Sequence, residues 1–347
     1  MSQLRVGVVG AGIMGRTHAT ILASHPEAKV TAVASGSRSN ADRLAAEVGA
    51  TAYDSYAEMF ASGEVDLVAV ATPDHLHADV VVAAAEAGIH VVCEKPFTTD
   101  IADADRALQA VRSAGVTGMV LFNHRWIPAY AQAKSLIDAG QIGPIQIGYA
   151  RKNDRIYVPT QMIGWAAETT PAWFLSSHDI DLVGWFMDDE AIEVFATATG
   201  GVLSGRGIDC PDAVVSQVRY RGGAVVTYEA SWVLPNTFPT MTDSFVQVIG
   251  EAGVLRLDRI HEQIELTTAE EFHYPRNQLV NTLHGVPGGA VRGALFHVVD
   301  CVLSGSEPLV TLESSRHVTA VLAAIHRSLI TGGPVSVTPA NDESGTR

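Results

Sequence analysis

The first third of the chain alternates short apolar runs with stretches of helical periodicity. The apolar runs are almost uniformly hydrophobic, as expected of strands buried on both faces of a sheet. They are LRVGVVG (4–10), AKVTAVA (28–34), VDLVAVAT (65–72), HVVCE (90–94) and GMVLF (118–122). Several of the helical stretches between them end on glycine, as helices commonly do. This alternation predicts βαβ units and a parallel sheet over residues 1–125, which is a Rossmann arrangement.

The pattern changes after about residue 125, where longer runs alternate apolar and polar positions. These runs are IQIGYARKN (145–153), EAIEVFATATG (190–200), DAVVSQVRYRG (212–222), AVVTYEASWVL (224–234), DSFVQVIGE (243–251) and VLRLDRI (254–260). Such alternation is typical of a mostly antiparallel sheet with one face away from the core. With helices at 128–140, 290–304 and 312–331, we predict a second α/β domain over residues 126–340. The polar residues 341–347 are expected to be a disordered tail.

Composition narrows the class of partner. The chain has 38 acidic and 23 basic residues and a net charge of −15, which disfavours nucleic acid and anionic membranes as partners. No signal-peptide pattern precedes the first strand, and the apolar run at 78–92 is broken by charged residues. The three cysteines are isolated, without metal-type spacing, so we expect inert thiols in a cytoplasmic protein and no bound metal.

A glycine triplet directly follows the first strand and opens the first helix. Gly10, Gly12 and Gly15 form a Gly-x-Gly-x-x-Gly turn, with Ile13 and Met14 at the start of the helix. Such a turn lets backbone N–H groups approach a pyrophosphate at the helix N-terminus. Because strand, turn, helix and second strand come in the required order, the triplet predicts a nicotinamide dinucleotide site.

The end of the second strand bears on which dinucleotide binds. An NAD site usually has a carboxylate there, to bind the ribose 2′-hydroxyl. This chain has Ser35, Ser37 and Arg38 instead, which suit a 2′-phosphate. We therefore predict that NADP is preferred over NAD, while Arg38 as a plain surface residue stays the alternative.

Two further strand ends carry polar groups that should face the cofactor. The apolar run that begins at residue 65 leads into Thr72-Pro73-Asp74-His75-Leu76-His77, and the run that begins at residue 90 leads into Glu94-Lys95-Pro96. The apolar neighbours of Lys95 would lower the pKa of its amine toward the working range of a general acid–base.

Together with FNHRW (122–126) and SHDID (177–181), these motifs resemble the glucose–fructose oxidoreductase / inositol dehydrogenase (Gfo/Idh/MocA) family over nearly the whole chain. The resemblance implies NAD(P)-dependent oxidation or reduction of sugars, polyols or cyclitols, and a homodimer or homotetramer built on the second domain's sheet. It implies that Lys95 lies near the nicotinamide, and that the Lys95–Pro96 peptide is cis. It places these further residues at the dinucleotide: Thr72, Pro73, His77, Glu94, Asn123 and Arg125.

One departure from the family pattern affects the acid–base groups. The family has an aspartate four residues before the histidine of the second-domain helix, whereas this chain has Phe174 before His178. We predict that Lys95 and His178 carry the proton transfers, with Asp179 or Asp181 orienting a partner or capping the helix. A distinct substrate geometry or reduced catalysis are the alternatives.

Aromatic and polar residues precede that helix and suit a sugar, which presents both C–H faces and hydroxyls. Besides Lys95 and His178, the predicted substrate residues are Arg155, Tyr157, Trp165, Trp173 and His284, with Trp165 also beside the cofactor; packing of the aromatics is the alternative. The predicted function is hydride transfer between a nicotinamide and a carbinol or carbonyl carbon. A non-catalytic dinucleotide sensor or corepressor, and an imine or biliverdin-type reductase, are the alternatives.

Overall fold

The computed structural model describes residues 3–339, so the predicted tail at 341–347 lies outside the described residues. The chain forms two compact units. The first contains the chain up to Trp126 together with Leu279–Arg316, and the second contains Ile127–Gln278 and the chain from His317 onward. No helix among residues 3–339 is long and apolar enough to cross a membrane.

The elements follow one another in a strand–helix order that changes after residue 126. Up to that point they are β1 (Leu4–Val9), α1 (Ile13–Leu22), β2 (Ala28–Ala34), α2 (Arg38–Val48), β3 (Thr51–Tyr53), α3 (Tyr56–Ala61), β4 (Leu67–Val70), α4 (His77–Glu86), β5 (His90–Cys93), α5 (Ile101–Ala114) and β6 (Gly118–Val120). The rest are α6 (Pro128–Asp138), β7 (Ile145–Arg155), α7 (Ser177–Met187), β8 (Ala191–Thr199), β9 (Ala213–Tyr220), β10 (Val225–Leu234), β11 (Thr242–Gly250), β12 (Val254–Asp258), β13 (Leu266–Thr267), β14 (Phe272–His273), β15 (Asn281–Leu283), β16 (Val286–Gly288), α8 (Ala290–Ser304), α9 (Leu312–Thr331) and β17 (Val335–Ser336).

The first unit is built on a six-stranded sheet in the order β3-β2-β1-β4-β5-β6. All neighbouring pairs are parallel. The predicted parallel Rossmann sheet is confirmed, with β3 as a strand that the apolar runs do not show. The strand order reverses between β1 and β4, and in such sheets ligands bind beyond the carboxyl ends of the strands at that point.

The second unit contains a seven-stranded sheet in the order β12-β11-β7-β10-β9-β8-β17. Only β7 and β10 pair in parallel, so the predicted large, mostly antiparallel sheet is confirmed. Its strands alternate buried and accessible positions; β9, for example, buries Val214, Ser216, Val218 and Tyr220. One face of this sheet therefore belongs to the core of the second unit.

The unit boundary differs from a single division at residue 125, because Leu279–Arg316 packs with the first unit. Within that segment α8 lies against α1, and the ring of Phe296 on α8 meets that of His25, three residues after the end of α1, edge to face at 4.4 Å. Arg125 donates from Nη1 to the Leu309 carbonyl oxygen at 2.9 Å. These contacts join residues far apart in sequence, which no local pattern reveals.

Candidate active site

The glycine turn between β1 and α1 leaves an open space at the helix N-terminus. Gly10 has φ +101°, and a Cβ atom there would lie 2.3 Å from the Ala71 carbonyl oxygen. A Cβ on Gly15 would lie 1.7 Å from the carbonyl oxygen of Gly10, so neither position admits a side chain. A Cβ on Gly12 would meet no atom of the described residues within 4 Å. The predicted neighbours are the exposed Ile13 and the half-buried Met14. Gly10 and Gly15 are therefore required by the fold itself, whereas Gly12 leaves room for a pyrophosphate to approach the backbone closely.

The residues predicted to meet the adenosine ribose lie between β2 and α2. Ser37 is the N-cap of α2, and its N–H donates to the Ser35 hydroxyl at 3.4 Å. Arg38 begins the helix and binds two carboxylates, with Nη1 2.5 Å from Asp54 and Nε 2.8 Å from Asp42. The hydrogen bonds to Asp54 and Asp42 raise the pKa of Arg38. The sequence does not show these two carboxylates as partners of Arg38. They would compete with a 2′-phosphate for its guanidinium group.

The segment after β4 places the side chain of His77 in the protein interior. Thr72 and Pro73 lead into a short 3₁₀ turn, and α4 begins at His77, which is 1% exposed. Its Nδ1 lies 2.8 Å from the Pro96 carbonyl oxygen and its Nε2 lies 3.1 Å from the Thr72 carbonyl oxygen. The side chain of His77 therefore joins the ends of β4 and β5.

The segment after β5 carries the predicted catalytic lysine. The Lys95–Pro96 peptide is cis, as the family resemblance implies. Glu94 is 7% exposed; its Oε1 lies 2.9 Å from Nε2 of His18, and its Oε2 accepts the Lys95 N–H at 3.1 Å. Burial acts to raise the pKa of Glu94, but the hydrogen bond from His18 and the charges of His18 and Lys95 outweigh it, so the pKa lies below its usual range. His18, which no sequence motif singles out, joins this site through its contact with Glu94.

The turn after β6 contributes two further predicted residues. Asn123 and Arg125 lie in the 3₁₀ turn Asn123–Trp126 and are each 6% exposed. The first unit thus brings the glycine turn and the loops after β2, β4, β5 and β6 to the carboxyl edge of one sheet. Among residues 3–339, no His, Cys, Asp and Glu side chains group as metal ligands would.

In the second unit His178 lies in the first turn of α7, beside a buried ion pair. Asp179, the next residue, pairs with Nζ of Lys152 from β7, and both side chains are almost fully buried. Burial lowers the pKa of Lys152 and raises that of Asp179, while their mutual attraction opposes both shifts. The pair holds the start of α7 against the sheet. Asp181, two residues after Asp179, is buried as well.

Phe174, at the position where the family has an aspartate, packs among aromatic rings. Its ring centroid lies 6.0 Å from that of Trp165 and 5.6 Å from that of Trp232. Trp173 is 7% exposed and stacks on His326 at 4.9 Å with an interplanar angle of 13°. These ring contacts, with the burial of Trp173, favour the packing interpretation for Trp173.

The remaining predicted substrate residues are not all in one unit. Arg155 ends β7 and donates from Nη2 to the carbonyl oxygen of Phe238, while the N–H of the partly exposed Tyr157 donates to Asn236 at 3.0 Å. Both belong to the second unit. His284 is exposed at the tip of the β15–β16 hairpin with φ +52° and belongs to the first unit.

Comparisons with known proteins identify the family of this chain. The model of the oxidoreductase family with an NAD-binding Rossmann fold matches residues 4–122, and that of the GFO/IDH/MocA C-terminal domain matches residues 130–256. The chain is 28% identical to scyllo-inositol 2-dehydrogenase (NAD(+)) of Bacillus subtilis (strain 168), with 96% of each chain covered. It is 30% identical to levoglucosan dehydrogenase of Pseudarthrobacter phenanthrenivorans, over 67% of this chain and 68% of that protein.

A crystal structure of scyllo-inositol dehydrogenase from Lactobacillus casei, with bound cofactor NAD(H) and scyllo-inositol, has the same fold. The TM-score is 0.83 at 21% identity, over 97% of this chain and 99% of that one. Both halves of the chain thus match the family that its motifs resemble. The chain belongs to the Gfo/Idh/MocA family of NAD-binding oxidoreductases.

Proposed function

We propose that this protein interconverts a carbinol and a carbonyl group on a polyol, sugar or cyclitol, using a nicotinamide dinucleotide. The observation that carries the proposal is the position of the Lys95 segment, at the same sheet edge as the open glycine turn. The relatives named for inositol and levoglucosan dehydrogenation support the class of substrate. The nicotinamide, when bound, accepts or supplies the hydride.

The chain's own contribution is binding, orientation and proton transfer. The backbone around Gly12 and the N-terminus of α1 would hold the pyrophosphate. The amine of Lys95 would take the hydroxyl proton during oxidation and return it during reduction, with His178 as its partner in acid–base work. Since Phe174 packs between two tryptophans, the usual aspartate is replaced by an apolar contact.

The proposal is tested with a panel of inositols and sugars in the presence of NAD or NADP. We expect the absorbance of the reduced nicotinamide to rise with at least one cyclitol or sugar. Lys95→Met should bind the dinucleotide as wild type does and turn over at least about 100-fold more slowly. Turnover unchanged in Lys95→Met would refute the role of the lysine, and binding without turnover of any compound would favour a sensor.

We also propose that NADP is preferred over NAD, by a factor within about tenfold. The absence of a carboxylate at Ser35 supports the preference, and the sharing of Arg38 with Asp42 and Asp54 limits it. Arg38→Ala should weaken NADP binding and leave NAD binding unchanged. Asp54→Asn should strengthen NADP binding. Tighter binding of NAD by the wild type would contradict the preference.

We further propose that the protein is a homo-oligomer assembled through the outer face of the seven-stranded sheet. The registers of β7–β12 place a set of partly exposed apolar side chains on that face: Ile147, Phe195, Val215, Val225, Ile249 and Val254. A patch of this kind is typical of an interface. Val225→Glu should lower the mass measured by light scattering to that of a monomer. The matched control is Ile330→Glu on α9, which is 86% exposed and should leave the mass unchanged.

A cytoplasmic location is proposed as well, on the three unpaired and buried cysteines Cys93, Cys210 and Cys301.

A further inference from the structure

Two buried histidines, on different helices, lie on either side of the Lys95 segment. His18 comes from α1 and His77 from the first turn of α4, and each is 1% exposed. With so little exposed surface, neither side chain is available to a substrate. Their hydrogen bonds instead lead to the backbone next to Lys95.

His18 acts on the amino side of the lysine through Glu94. The carboxylate uses one oxygen for Nε2 of His18, at 2.9 Å, and the other for the backbone N–H of Lys95, at 3.1 Å. Hydrogen bonds to a charged group are stronger than neutral ones, and a buried carboxylate is costly unless such bonds satisfy it. Glu94 therefore holds the backbone nitrogen of Lys95 in place, and the hydrogen bond with His18 holds the carboxylate of Glu94.

His77 acts on the carboxyl side. Its Nδ1 lies 2.8 Å from the Pro96 carbonyl oxygen, and its Nε2 lies 3.1 Å from the Thr72 carbonyl oxygen. Carbonyl oxygens only accept and a neutral imidazole carries one N–H, so we assign that proton to Nδ1, which makes the shorter contact, to Pro96. The imidazole thus ties the peptide that follows Lys95 to the end of β4.

We propose that His18 and His77 are positioning residues, which hold the Lys95 backbone from both sides so that its amine is presented to the reacting hydroxyl. This inference rests on the proposed function of Lys95. A displacement of a catalytic group by about 1 Å can cost about 100-fold in rate. Loss of either hydrogen-bonded support should accordingly reduce kcat more than it changes the KM for the dinucleotide.

Substitution by asparagine or glutamine tests the two ring nitrogens separately. The amide nitrogen of asparagine lies near the position of Nδ1, and that of glutamine lies near the position of Nε2. His18→Gln keeps the bond to Glu94, whereas His18→Asn loses it. His77→Asn keeps the bond to Pro96, whereas His77→Gln loses it. Each histidine therefore has a matched pair of variants of similar polarity. A merely structural role would show this reversal in thermal unfolding and leave the kcat of the folded variants unchanged.

The experiment measures kcat and KM for all four variants, together with dinucleotide binding and thermal unfolding. We expect His18→Gln and His77→Asn to retain kcat within about threefold of wild type, and His18→Asn and His77→Gln to lose about 10- to 100-fold. Equal losses within each pair, or no loss in any variant, would overturn the inference. Should a His18 variant fail to fold, the isosteric Glu94→Gln replaces it and must show the same loss of kcat; should a His77 variant fail to fold, the His18 pair decides.

Lys95→Met distinguishes this inference from the proposed function. If that variant keeps wild-type turnover, the proposed function itself fails. If it is inactive while all four histidine variants retain full kcat, only the positioning role fails.

Discussion

The glycine turn between β1 and α1 allows the requirements of folding and of cofactor binding to be separated. At Gly12 a methyl group would meet no described atom within 4 Å, and the backbone angles of φ −79° and ψ −162° are open to alanine. We therefore expect Gly12→Ala to fold with a free energy of unfolding within about 0.5 kcal/mol of wild type.

The same methyl group would occupy the space that a pyrophosphate needs for close approach to the backbone. We expect the Kd for the dinucleotide to rise about 10- to 100-fold, which is about 1.4 to 2.7 kcal/mol. Fluorescence titration with NADH and NADPH measures the Kd, and thermal unfolding without cofactor measures stability.

Gly10→Ala and Gly15→Ala are the matched comparisons. Their Cβ atoms would lie 2.3 Å and 1.7 Å from backbone oxygens, and Gly10 has φ +101°. Each should lower the free energy of unfolding by at least about 1 to 3 kcal/mol. If Gly12→Ala binds the dinucleotide as tightly as wild type, or is destabilised as much as Gly15→Ala, the open space at Gly12 is not where the pyrophosphate binds.

Four further predictions concern a buried ion pair, a helix cap, the acid limb of unfolding and the reactivity of a buried thiol. Lys152→Met should lower the free energy of unfolding by about 3 to 5 kcal/mol in a denaturant titration, because Asp179 loses its buried partner, and Lys152→Met/Asp179→Leu should recover most of it; equal losses would contradict this. Asp100 caps α5 by accepting from two N–H groups, so Asp100→Ala should cost about 1 kcal/mol in the same assay. The lowered pKa of Glu94 means that its charge stabilises the fold at neutral pH and that this contribution is lost as the pH falls through the folded value. Glu94→Gln should therefore flatten the acid limb of the unfolding curve below about pH 4.5. Burial raises the pKa of the Cys93 thiol well above its usual range, so alkylation in the folded protein should stay slow from about pH 7 to 9.

The fold could be predicted from sequence to the extent that local patterns specify it. The uniformly apolar runs became the buried parallel strands, and the alternating runs became the strands of the second sheet. The short strand Thr51–Tyr53 has no apolar run, since it is an edge strand of three partly exposed residues. The return of Leu279–Arg316 to the first unit depends on contacts such as Phe296 with His25, between residues far apart in the chain.

The candidate site was likewise predictable from the sequence only where it consists of local motifs. The glycine turn and the Lys95 loop are local motifs, and both lie where their positions after β1 and β5 require. The partners of the polar groups are not local: Asp54 is 16 residues from Arg38, and Pro96 is 19 residues from His77. One signal was available for Lys152, because it occupies an inward position of β7 where the alternation calls for an apolar side chain.

The most direct test of the central claim is the rate of nicotinamide reduction by wild type and Lys95→Met, with NAD and NADP and a panel of cyclitols and sugars. We predict that the wild type reduces the dinucleotide with at least one of these compounds. Lys95→Met should bind the dinucleotide equally well but turn over at least about 100-fold more slowly. Equal rates for the two proteins, or dinucleotide binding by the wild type with no oxidation of any polyol, sugar or cyclitol, would contradict the proposed function.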